Sequence, residues 1–126
     1  MQLAKAIAHL ADDKKAENIV LLDMRPCVSY CDYFLLCSGD TDTHVRAIAE
    51  GISEGLGKLG LKVWHKQGLK ELGRRGARGF DADDFHGAWV LLDTGDVVAH
   101  ILETEARDFY ELEHLWRDAQ RIEWRK

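Results

Sequence analysis

The chain has 126 residues, 46% of them hydrophobic and 31% charged, which suits one globular core and leaves no comfortable room for a second. Its formal net charge of −5, from 22 acidic against 17 basic residues, is not the basic balance of a protein that grips nucleic-acid phosphates regardless of sequence. Cys27, Cys31 and Cys37 are an odd count at spacings that match no zinc ribbon, and no stretch reaches transmembrane length, so reduced, half-buried cysteines in a soluble cytoplasmic protein with no membrane partner are expected.

Leu3, Ile7 and Leu10, with Ala6 and Ala11 beside them, recur at helical spacing and predict a first amphipathic helix that ends in Asp12-Asp-Lys-Lys15. Ile19-Val-Leu-Leu22 is a short apolar run of the kind a strand uses. Met24 to Cys31 holds the one proline, Pro26, and reads as a loop. Tyr33-Phe-Leu-Leu-Cys37 is a second strand, closed by Ser38-Gly39-Asp40.

Val45, Ile48, Ala49, Ile52, Leu56 and Leu59 then fall on one face of a second helix, with Gly60 at the C-terminal cap and Asp40, Thr41 and Asp42 as capping oxygens at its start. Gly51, Gly55 and Gly57 each cost that helix roughly 1 kcal/mol against alanine. Gly55 flanks the apolar face, where it would let the helix approach the sheet closely; the sequence offers no reason for the other two.

Leu61-Lys-Val-Trp64 predicts a third strand, and residues 66–87 a long, polar, glycine-punctuated loop with one helical turn at Leu69–Leu72. Ala88–Asp93 and Val97–Leu102 predict two strands joined by a tight turn in which Gly95 takes positive φ. Glu105–Ala119 predicts a last helix, capped by Thr104, and 120–126 a C-terminal tail after a single domain at 1–119. Several strands are apolar on both faces, which places them centrally or under cover on both sides. The expected fold is α/β (α+β): a mixed sheet of about five strands flanked by helices.

Chemistry-bearing patterns are sparse. Ser38-Gly-Asp-Thr-Asp42 carries two carboxylates and a glycine at a strand-to-helix junction, which would suit magnesium and a nucleotide phosphate, but the same residues serve as helix caps. Asp93 and Asp96 bracket a turn, where aspartate is recruited for local hydrogen bonds. The six histidines show no spacing suited to zinc, and Gly73-Arg-Arg-Gly76 lacks the lysine of a phosphate loop. No catalytic residue, metal ligand or cofactor is expected. The aromatic residues say more. Trp89, at the entrance of a strand, and Tyr110, Leu115 and Trp116, on an apolar arc wider than one sheet contact needs, are candidate binding anchors.

Asp32-Tyr-Phe-Leu-Leu-Cys-Ser-Gly39, His44-Val-Arg-Ala-Ile-Ala49, Trp89-Val-Leu-Leu-Asp-Thr-Gly-Asp-Val-Val-Ala-His100 and Arg107-Asp-Phe-Tyr-Glu-Leu-Glu-His-Leu-Trp116 occur in one order. Together they resemble the Iojap/RsfS family of ribosomal silencing factors, over roughly residues 3 to 119. The resemblance implies a nucleotidyltransferase-like fold without catalytic activity. It further implies a protein, dimeric when free, that binds the large ribosomal subunit through large-subunit protein fourteen, blocks joining of the small subunit and represses translation.

Matched onto this chain, Trp89, Asp93, Asp96, His100, Tyr110, Glu113, Leu115 and Trp116 are the expected partner-binding residues. The chain departs from the family in a longer link at 66–86, basic first and acidic after, whose part 66–80 is a candidate for a minor ribosomal RNA contact. Ala99 also stands where valine is usual. A residual metal-dependent nucleotidyltransferase and an RNA-binding module remain the alternatives.

Overall fold

A computed structural model describes residues 2–29, 31–61, 63, 65–67, 89–104 and 119–125. Helix α1 (Gln2–Asp13) buries Ala4, Ile7, Ala8 and Ala11; of the expected stripe only Ile7 and Ala11 are among them, while Leu3, Ala6 and Leu10 lie partly buried at its margin. It ends in a Schellman motif: the Ala16 N–H donates to the Ala11 carbonyl (3.2 Å) and the Lys15 N–H to Asp12 (2.9 Å). Lys15 holds the left-handed position at φ 62°, where glycine is usual. Strand β1 (Glu17–Asp23) follows, bulged between Glu17 and Val20, with Asn18 at φ 51°. Strand β2 (Tyr33–Gly39) is buried along its whole length.

Helix α2 (Asp42–Lys58) buries Val45, Ile48, Ala49, Ile52 and Leu56. Leu59, expected on that face, is instead 61% exposed. It is the C-cap residue, and the chain has already turned away into a second Schellman motif, with Gly60 at φ 78° and the Leu61 N–H bonded to the Leu56 carbonyl (2.9 Å). The same cap corrects the third strand. Leu61 still belongs to the helix end and is 45% exposed, so strand β3 begins later, at His65–Gln67. Its place is set by pairing, His65 opposite Asp93 and Gln67 opposite Leu91, which local hydrophobicity does not encode.

Strands β4 (Trp89–Asp93) and β5 (Val97–Glu103) form the expected hairpin. The stretch expected to be a tail supplies a short edge strand, β6 (Gln120–Ile122), antiparallel to β1. Trp124 holds it there: its indole N–H donates to the Ile19 carbonyl (3.3 Å), and its ring meets His9 of α1 edge-on at 5.1 Å. Lys66 and Gln67, expected to open the long loop at 66–87, instead belong to β3, where they pair with Leu92 and Leu91; the rest of that loop and the body of the expected last helix, 105–118, lie outside the described residues. Of the two ends of that helix, the Thr104 hydroxyl donates to the Gly39 carbonyl (3.4 Å) and Ala119 is buried.

Among the described residues the sheet runs β3-β4-β5-β2-β1-β6, six strands where about five were expected, and is mixed: β2 and β5 are parallel and every other neighbour pair is antiparallel. On one face Leu21, Leu35, Cys37, Val90, Leu92, Ala99 and Ile101 pack with the buried stripes of α1 and α2. The opposite face carries a second cluster of Leu22, Met24, Cys31, Phe34, Leu36, Val98 and Ala119. The α/β fold class and the central place of the doubly apolar strands are thus as the sequence implies.

Candidate partner-binding face

Strand β4 alternates cleanly. Val90 and Leu92 point into the helix-covered core, while Trp89, Leu91 and Asp93 lie half-buried on the other face. Antiparallel pairing sets Trp89 opposite Leu102, Leu91 opposite His100 and Asp93 opposite Val98, so these side chains form one surface with β5. Parallel pairing of β5 with β2 continues that surface through Phe34 and Leu36.

His100 sits at its centre, only 5% exposed. The Trp89 indole N–H donates to His100 Nδ1 (3.3 Å), and the imidazole meets the Phe34 ring edge-on, centroids 4.7 Å apart. Burial pushes the His100 pKa down to about 4, so the ring is neutral at neutral pH. With Nδ1 accepting, the proton of the neutral imidazole is on Nε2. The result is a half-buried tryptophan whose polar edge is held from below by a buried ring.

The hairpin turn closes one end of this face. The Thr94 N–H and hydroxyl both donate to the Val97 carbonyl (2.9 Å each), and the Asp93 carboxylate accepts the Gly95 N–H (2.8 Å). Gly95 takes φ 97°, positive φ on the first of the two central residues, which matches the twist of the flanking strands. The Asp96 carbonyl accepts the N–H groups of Asp32 and Tyr33 (2.8 and 3.1 Å), tying the turn to the start of β2, while Asp96 itself is exposed. Nearby, the Arg25 guanidinium donates two hydrogen bonds to the Asp23 carboxylate (2.9 and 2.7 Å) and the Arg25 backbone N–H a third (3.1 Å), which hold that carboxyl below its ordinary range. The Arg25 guanidinium lies over the Tyr33 ring at 5.5 Å. Burial, with the Asp32 and Asp93 carboxylates, pushes the Cys31 thiol up to about 11, so it is an inert thiol.

Of the expected binding residues, Trp89, Asp93 and His100 come together on one face, with Asp96 at its end; Tyr110, Glu113, Leu115 and Trp116 lie outside the described residues. Phe34 and Leu91 complete the face and were not singled out as site residues. Strand register alone brings them beside His100, and the one available signal was the position of His100 within an apolar strand. The junction at Ser38–Asp42 is a helix start: Thr41 is the N-cap and accepts the His44 N–H (3.1 Å). His44 Nδ1 accepts the Asp40 N–H (3.1 Å) and Nε2 donates to the Lys14 carbonyl (2.9 Å), so the ring joins α2 to the end of α1. Among the described residues no three His, Cys, Asp or Glu side chains are grouped to hold a metal ion.

The family model described as "Ribosomal silencing factor during starvation" matches residues 1–126. The chain is 38% identical over 117 residues to the ribosomal silencing factor RsfS of Bacillus subtilis (strain 168), covering 93% of this chain and 86% of that one. A crystal structure of a Bacillus halodurans protein superposes with a TM-score of 0.74 at 32% identity, covering 97% of each chain. A more distant relative, the mouse protein named "Mitochondrial assembly of ribosomal large subunit protein 1", is 28% identical over 110 residues, 87% of this chain and 43% of its own length.

Proposed function

Because this chain belongs to the RsfS family of ribosomal silencing factors, we propose that it silences by docking on the large ribosomal subunit and occupying the surface the small subunit needs. The observation that carries this reading is the Trp89–His100–Phe34 cluster, a half-buried tryptophan set on the sheet face whose hairpin end carries Asp93 and Asp96. Rigid aromatic side chains with one polar edge are frequent anchors of protein interfaces. The name of the mouse relative supports the large subunit as the target.

The net charge of −5 favours a basic ribosomal protein over bare RNA as the direct partner, and the family resemblance points to large-subunit protein fourteen. Tyr110, Glu113, Leu115 and Trp116 are assigned to the same docking surface on sequence alone. The stretch 66–80, which begins in β3, supplies at most a minor ribosomal RNA contact. In this reading the protein is a binding factor without a catalytic step, works in the cytoplasm and is a homodimer when free.

Sucrose-gradient sedimentation of isolated subunits tests it. With the protein present, the joined-ribosome peak falls and the protein migrates with the large subunit. An undiminished joined peak, or co-migration with the small subunit, overturns the reading.

A further inference from the structure

The docking reading leaves open what fixes the angle at which Trp89 is offered to a partner. The indole lies half-buried on β4, and a ring in that setting can rock about its side-chain bonds unless a polar contact holds it. One such contact is shown: Trp89 Nε1–H donates to His100 Nδ1 at 3.3 Å, across from β5. His100 is in turn held by its strand and by the edge-on Phe34 ring of β2 at 4.7 Å. The three rings therefore form a row carried by three adjacent strands, β4, β5 and β2, and of the three only Trp89 is partly exposed.

We propose that His100 is a positioning residue for the docking face: it meets no partner itself, and as the Nε2-protonated neutral imidazole it holds the Trp89 indole in the orientation that docks. This rests on the docking reading and gives His100 a role that residue type alone does not. A buried histidine in an apolar strand would ordinarily be filling space, and phenylalanine would then replace it. The geometry requires instead an acceptor at the Nδ1 position. Asparagine supplies one, because its Oδ1 occupies the same place along the side chain, while phenylalanine supplies only the ring.

The experiment uses the full chain labelled with nitrogen-15, in the parent and in His100→Phe, His100→Asn and Trp89→Ala. The Trp89 indole resonance is assigned by its loss in Trp89→Ala. Binding is measured to isolated large ribosomal subunits. The expected result is that His100→Phe shifts the indole resonance, speeds its exchange with water and weakens binding by roughly three- to tenfold, the worth of one hydrogen bond. His100→Asn should keep the indole signature and restore most of the binding.

An unmoved indole resonance and parent-like binding in His100→Phe overturn the proposal. Should either variant fail to fold, the ring nitrogens of His100 in the parent decide: an Nδ1-protonated tautomer overturns it, because such a nitrogen cannot accept the indole proton. Trp89→Ala separates the two ideas. If that variant binds as the parent does, the docking reading fails, whereas if it binds poorly and His100→Phe binds well, only the positioning role fails.

Discussion

Lys15 and Gly60 occupy the same position in two copies of one motif, and only one of them suits it. Both follow a helix, both sit at positive φ, and both let the next N–H reach back to a carbonyl five residues earlier. For an L side chain the left-handed position costs about 1–2 kcal/mol, of which glycine loses part again through the freedom of its unfolded chain. Lys15→Gly should therefore raise stability by about 0.5–1 kcal/mol, read as a higher urea midpoint with an unchanged slope. Gly60→Ala should lower it by a similar amount. The Gly60 cap was legible because glycine after an apolar stripe is a strong stop signal. The Lys15 cap was not, because lysine carries no such signal and its conformation is imposed by the short step from α1 to β1.

Between elements, the glycines of α2 part company. A Cβ on Gly55 would come within 2.7 Å of Leu10 Cδ1, so the close approach expected there is to α1, which shares this face of the sheet, rather than to the sheet itself. A Cβ on Gly57 would meet nothing within 4 Å. Gly57→Ala should stabilise by about 0.5–1 kcal/mol through helix propensity. Gly55→Ala should destabilise by about 1–3 kcal/mol, because overpacking against Leu10 outweighs that gain. Thermal melts of the two variants check the opposite signs. Element existence was largely readable, since α1, α2, β2 and the hairpin each carry a period or a turn residue of their own. What escaped was set by pairing: β3 takes its position from β4, and β6 is three residues, Gln120-Arg-Ile122, that become a strand only by lying along Leu21–Asp23. The candidate face was half legible in the same sense. Trp89 and His100 could be named, but their contact and the part played by Phe34 follow from register.

At the scale of the whole molecule, the buried His100 makes the fold acid-sensitive. Its folded pKa of about 4 lies below the ordinary 6.5, so as pH falls the unfolded chain takes up the proton first and is favoured. Stability from this source is complete above about pH 6.5 and is lost progressively down to about pH 4, by up to about 3 kcal/mol in all. Urea unfolding of the parent and of His100→Phe across that window should show a loss in the parent that is smaller in the variant by about this amount; parallel losses would place the sensitivity elsewhere. The parallel pairing of β2 with β5 reaches further still, into how the chain is made. Tyr33 meets Val97 across roughly sixty residues of chain, so β2 leaves the translating ribosome well before the strand that will cover its inner edge. Until β5 arrives, Phe34-Leu-Leu-Cys37 presents an apolar strand with one side unpaired, the kind of segment that joins a neighbouring nascent chain or is held by a chaperone. A factor that restrains ribosomes would thus be most vulnerable while still emerging from one.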